Sequence, residues 1–211
     1  MNLQNLSAAL PLIIVAGSAI VLMLLAAIKR NHTLTFAVSL IGLAAAFASR
    51  WSDAGSVARP VSALLVIDSF ASFYMGILLI TTMAILPFAY NYFATEREDK
   101  EEFYILVMLS TLGAMILVAS SHFASFFLGL EILSVSLYAL IAYLRNGRLP
   151  LEAGIKYLVL ASSSAAFMLF GMALVYEESG SLEFGRLSSI LGHAGQTPHP
   201  AILWFGIALL I

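Results

Sequence analysis

The chain has 211 residues, 61% of them apolar before its 14 glycines are counted, and only 10% are charged. A soluble domain is about 45–50% apolar with glycine included and roughly 25% charged, so a soluble globule and a disordered chain are both excluded. Ten Lys and Arg against twelve Asp and Glu leave a net charge of −2, with no basic surplus for a nucleic acid. The lack of cysteine excludes a disulfide framework, a thiolate zinc site or a cysteine-held iron–sulfur cluster on this chain. The composition points to an all-α, multi-pass transmembrane bundle whose first partner is the lipid bilayer.

A spanning helix needs about 20 mostly apolar residues. Six such runs occur, at about 6–28, 33–49, 64–90, 103–120, 123–144 and 150–176, and a seventh starts near Ala201 and is still apolar at Ile211. The chain is therefore expected to be the front part of a longer protein. The first run lacks a basic leader and is followed by Lys29 and Arg30, so it reads as an uncleaved span. Asp68 stands where it would cap the third span. Pro87 would kink that span, with Thr81 and Thr82 placed to help the freed backbone groups. The Glu96–Glu102 run reads as a solvated loop leading into a helix start. Asn146-Gly147 and Pro150 mark a tight turn, and Glu177–Pro200 reads as the longest loop.

Loop charges suggest an orientation. Lys29, Arg30, Arg97, Lys100, Arg145 and Arg148 fall on one side, against Arg50, Arg59 and Arg186 on the other. The positive-inside rule then puts Met1 outside and the 91–102 loop inside.

Inside a bilayer the informative residues are ionisable side chains within apolar runs. Glu131 is the ninth residue of its span, about 12 Å from the nearer end, where a charge costs roughly 2.5–3.5 kcal/mol. Ser134 and Tyr138 fall within about 60° of it on the helix, making a polar stripe. Two readings stand side by side: a neutral glutamate bonded to a neighbouring helix, or a proton carrier. Removal from water makes a carboxylate hold its proton more tightly, which suits uptake and release near neutral pH.

Lys156 lies about 10 Å into the sixth span. Glu152, one turn earlier, stands in the order that favours an i,i+4 pair. Snorkelling would satisfy the lysine, yet Ser163, flanked by Ser162 and Ser164, continues the face as a polar lane. Glu131 and Lys156 should differ in depth by about 8–10 Å and not touch. The four histidines sit at or beyond span ends without an i,i+4 pair, which argues against a metal site. Ala161/Ala165 and Ser162/Ala166 would permit close helix approach. There is no nucleotide loop and no nucleophile elbow.

The run Phe127-Leu128-Gly129-Leu130-Glu131-Ile132-Leu133-Ser134-Val135-Ser136-Leu137-Tyr138 resembles the glutamate-bearing fifth helix of the antiporter-like subunits of respiratory complex I. Glu152-Ala153-Gly154-Ile155-Lys156-Tyr157, with Ser162-Ser163-Ser164 and Gly171-Met172-Ala173, is similar to their sixth helix. Ile67-Asp68-Ser69-Phe70 and Pro87-Phe88-Ala89-Tyr90 fit the same family, with the N-type subunits of the bacterial proton-pumping NADH:quinone oxidoreductase nearest among them.

The resemblance implies an antiporter-like fold with three leading helices over 1–102 and an incomplete first repeat over 103–211. It implies that Glu131 is the key carboxylate, Lys156 a proton-transfer lysine, and Ser134, Tyr138 and Ser163 a secondary polar lane. A further lysine is expected on the seventh helix of the family, beyond Ile211. Other membrane-arm subunits would be partners in a bacterial plasma membrane. Flavin, iron–sulfur clusters, NADH and quinone would sit on other subunits, with no cofactor or metal on this chain. A sodium/proton antiporter subunit and a non-pumping scaffold are the alternatives.

Overall fold

A computed structural model describes residues 3–28, 30–50, 59–94, 100–144, 148–192 and 199–210. In chain order the elements are α1 (Leu3–Ile28), α2 (His32–Ser49), β1 (Arg59–Pro60), β2 (Val66–Ile67), α3 (Ser69–Ala94), α4 (Glu101–Ala119), α5 (Phe123–Ile141), α6 (Arg148–Ser179), α7 (Phe184–Leu191) and α8 (Pro200–Leu210). Six helices among the described residues, α1 to α6, are long and apolar enough to cross a membrane. Consecutive spans alternate in direction, so the bundle has a near face, where α1 begins, and a far face, where it ends.

Span starts follow from local caps. Asn31 Oδ1 accepts from Leu34 N at 3.2 Å to open α2, and Asp68 Oδ1 accepts from Ala71 N at 2.7 Å to open α3. The Asp68 cap confirms its expected role and moves the helix start from about residue 64 to Ser69. The residues before it form the antiparallel pair of β1 and β2, with Arg59 opposite Ile67. His122 caps α5 through its ring, Nδ1 accepting from Ala124 N at 3.0 Å.

The main apolar core lies among α1 to α4, where Leu22, Leu43, Met75, Leu79, Met108 and Met115 are buried. Tyr104 joins it, and its hydroxyl meets His32 Nε2 at 2.8 Å while the His32 ring stacks on Tyr90. Pro87 sits inside a continuous α3. The Thr82 hydroxyl donates to Leu78 O and lies 3.1 Å from Thr111 Oγ1, so it does not serve the Met83 carbonyl that Pro87 leaves open.

Two expected loops are more ordered than their composition suggests. Within Glu177–Pro200, α6 continues to Ser179 and α7 follows, because Leu187 is buried with Phe184 and Phe123 in a small second core. At the start of α4, Glu101 and Glu102 stand in the first turn as expected; Glu101 is buried, not solvated, and Glu102 forms an exposed ion pair with Arg30 at 3.1 Å. The Asn146-Gly147 turn and Glu96–Asp99 lie outside the described residues.

The near face is tied by backbone hydrogen bonds across distant segments. Leu64 O accepts from Ser121 N at 3.0 Å and from Ser125 Oγ at 2.6 Å. Phe123 N donates to Leu182 O at 2.9 Å, and Phe184 N to Ser121 O at 3.0 Å. Removing the Ser125 hydroxyl should loosen this seam. Ser125→Ala is expected to lower stability by about 0.5–1.5 kcal/mol, read as a lower melting temperature in detergent with membrane insertion unchanged.

Candidate functional site

Apolar attraction between helices is weak in lipid, so close packing must come from small residues that let backbones meet. Gly113 on α4 and Gly129 on α5 do this. A Cβ built on Gly113 would stand 2.6 Å from Leu133 N and 2.9 Å from Gly129 O; one on Gly129 would stand 2.8 Å from Leu117 N. Those are backbone atoms that cannot swing aside, so the contact requires glycine on both helices.

This crossing sets the rotation of α5. Glu131 is two residues past Gly129, about 200° round the helix, so it faces away from α4. Ser134 and Tyr138 share its side, and all three are half-buried. Ala142, just past the helix end, continues the stripe, and there α6 arrives. A Cβ on Gly154 would stand 2.6 Å from Ala142 Cβ and 3.3 Å from Tyr138 O. The polar stripe of α5 therefore leads toward the landing point of α6. Glu131 makes no hydrogen bond or ion pair with any described residue.

Lys156 follows Gly154 by two residues and so points about 200° away from the α5 contact. It is exposed and forms its i,i+4 ion pair with Glu152. Ser163 lies on the same outward side, exposed, its hydroxyl donating to Val159 O at 2.8 Å. The expected residues thus form two sets. Glu131, Ser134 and Tyr138 share a stripe; Lys156 and Ser163 lie on a separate face across α6. Glu131 and Lys156 do not pair, in keeping with their difference in depth.

A second glycine crossing holds α8 to α6: a Cβ on Gly171 would stand 2.7 Å from Gly206 O, and one on Gly206 3.0 Å from Gly171 O. These glycines make tight contacts, whereas Ser162 and Ala166 are exposed and Ala161 and Ala165 half-buried. Gly113, Gly129 and Gly154 position the site, and their signal in the sequence is a single glycine in each of α4 and α5 and the first of two in α6. Among the described residues no group of His, Asp and Glu is arranged to hold a metal.

Residues 120–211, which carry α5 to α8, match the family described as NADH:quinone oxidoreductase/Mrp antiporter, TM. The whole chain is similar to a chain of respiratory complex I from Thermus thermophilus solved with bound aureothin, at 29% identity and a TM-score of 0.77, covering 95% of this chain and 42% of that one. It is similar at 25% identity and TM-score 0.74 to a chain of the archaeal membrane-bound sulfane sulfur reductase, covering 96% and 43%. A chain of the Mrp complex from Dietzia sp. shares the fold at 21% identity and TM-score 0.74, covering 97% and 40%. The fold is that of the antiporter-like membrane subunits. The chain spans less than half the length of each of these solved chains. Glu131 and Lys156 both lie inside the stretch that matches the family.

Because the Lys156–Glu152 pair is exposed and local, it adds little to stability. Lys156→Ala is expected to cost about 0.2–0.5 kcal/mol, shifting the melting temperature by no more than about 1–2 °C. A larger shift, measured by detergent melting, would show that the lysine is tied into the bundle.

Proposed function

We propose that this chain is a proton-translocating membrane-arm subunit, of the N type, in a bacterial NADH:quinone oxidoreductase. The observation that carries the reading is Glu131: a carboxylate without a partner among the described residues, about 12 Å into a span, on a stripe with two hydroxyls, inside the family-matched stretch. The Thermus chain, at 29% identity over 95% of this chain, supports a complex I setting. A sodium/proton antiporter subunit is the second reading, favoured by the Mrp likeness in fold.

In this reading a proton binds a Glu131 carboxylate oxygen and leaves by way of water and the Ser134 and Tyr138 hydroxyls. Moving one proton against 100 mV requires about 2.3 kcal/mol, which the assembly must supply from outside this chain. Lys156 relays on the far side of α6, with Glu152 as its counter-charge and Ser163 further along. Quinone reduction, flavin, iron–sulfur clusters and NADH belong to other subunits of the assembly. The near face lies outside a bacterial plasma membrane.

Glu131→Gln keeps volume and hydrogen bonding and removes the titration. In the intact, quinone-reducing complex it should lower proton translocation by at least about tenfold, while Glu152→Gln has a milder effect. Unchanged translocation in Glu131→Gln would make the carboxylate structural. A flavin-bearing peripheral arm co-purifying with the full-length chain separates the complex I reading from the antiporter one.

Orientation is open to labelling, since the chain has no cysteine. A cysteine at Ser62 should react with an impermeant maleimide from outside, and one at Ala94 only from inside. Reaction at Ala94 from outside would invert the topology.

A further inference from the structure

On the near face, Arg50 ends α2 and folds back over α3. Its Nη2 donates to Ser72 Oγ at 3.2 Å, and its Cζ lies 5.8 Å from the centroid of the Phe47 ring. The guanidinium is seated on Gly76, where any Cβ would collide with Nη1 and stand 2.8 Å from Cζ. Arg50 Nε is buried without a hydrogen-bond partner. Among the described residues no carboxylate lies within 4 Å of this guanidinium, although an arginine offers five donors and stays charged in a protein. Burial lowers the Arg50 pKa from its ordinary value.

Below the guanidinium runs a groove of about 370 Å³. Phe73, Ile77 and Ile80 line it and remain 61%, 43% and 52% exposed. They follow i, i+4, i+7 spacing on one face of α3 and so extend about 10 Å into the span. Ser72 and Arg50 are the polar side chains of the groove, and both stand at its top.

A fixed cation with unused donors over an apolar slot that descends into the bilayer calls for an anion joined to a hydrocarbon chain. An acidic side chain from another protein would satisfy the cation and leave the slot empty; a free anion would do the same. We propose that Arg50, Ser72 and the groove beneath them bind one anionic phospholipid of the near-face leaflet. Its phosphate takes the free guanidinium N–H groups in charge-assisted hydrogen bonds, and an acyl chain lies along Phe73, Ile77 and Ile80. This site is independent of the proton-transfer reading, because it lies on α2 and α3 and involves neither Glu131 nor Lys156.

The test is native mass spectrometry of the delipidated full-length subunit in its complex, titrated with phosphatidylglycerol, phosphatidylcholine or inorganic phosphate. The unmodified protein should hold one more phosphatidylglycerol than Arg50→Gln, whose affinity should be about tenfold weaker, the loss expected for charge-assisted bonds. Arg50→Lys should recover part of it. Ile80→Asn, which keeps the cation and makes the slot polar, should weaken phosphatidylglycerol binding too, and covers the case in which Arg50→Gln fails to fold. Equal retention of phosphatidylglycerol and phosphatidylcholine would overturn the proposal. So would displacement of the lipid by millimolar phosphate, or a cross-link from a cysteine at Ser72 to another subunit seated on the groove.

Discussion

Water drives helices together in a soluble protein, but lipid tails solvate Leu and Ile as well as another helix does. What holds α4 against α5 is therefore contact at the level of the backbone, made where Gly113 and Gly129 each leave room for the other helix's peptide atoms. Once that approach is made, α5 has a single rotation. Glu131 must turn from α4, and the stripe it heads must run to Ala142, where Gly154 lets α6 close in. The same glycine then turns Lys156 outward. One close approach thus decides which polar groups can share an environment.

Much of this was legible in the residues alone. Spans need only apolar length, so their number and approximate bounds follow from hydropathy. Asp68 announces its cap by standing just before an apolar run, and Glu152 and Lys156 announce their pair by spacing. The misjudged features all depend on a partner far along the chain. Glu101 looks like solvated charge until the α1–α4 bundle is placed beside it. The 184–191 stretch looks like loop because one glycine, one arginine and two serines dilute it, and Leu187 finds its apolar neighbours only across the fold. The choice between alanine pairs and glycines as contact points likewise depends on which faces meet, and composition does not say.

The two halves of the chain differ in how they are packed. Helices α1 to α4 enclose the larger core, whereas α6 leaves Val159, Leu160, Phe167 and Phe170 exposed on the side that carries Lys156 and Ser163. A lysine on an apolar surface at that depth is costly, and the Glu152 pair offsets part of the cost without involving any other helix. Glu131 has no such local compensation. Its charge is left to whatever surrounds the stripe, which is the property a responsive carboxylate needs and a structural one does not.

The backbone bonds that join Leu64, Ser121, Leu182 and Phe184 make the near ends of α3, α5 and α7 one seam. Together with the glycine contact lower down, they pin α5 at two heights. A helix held in that manner resists pistoning or rocking more than one held at a single height. Changes of side-chain rotamer, hydration or the position of a proton disturb none of those bonds, and so are the changes of state this frame accommodates at least cost.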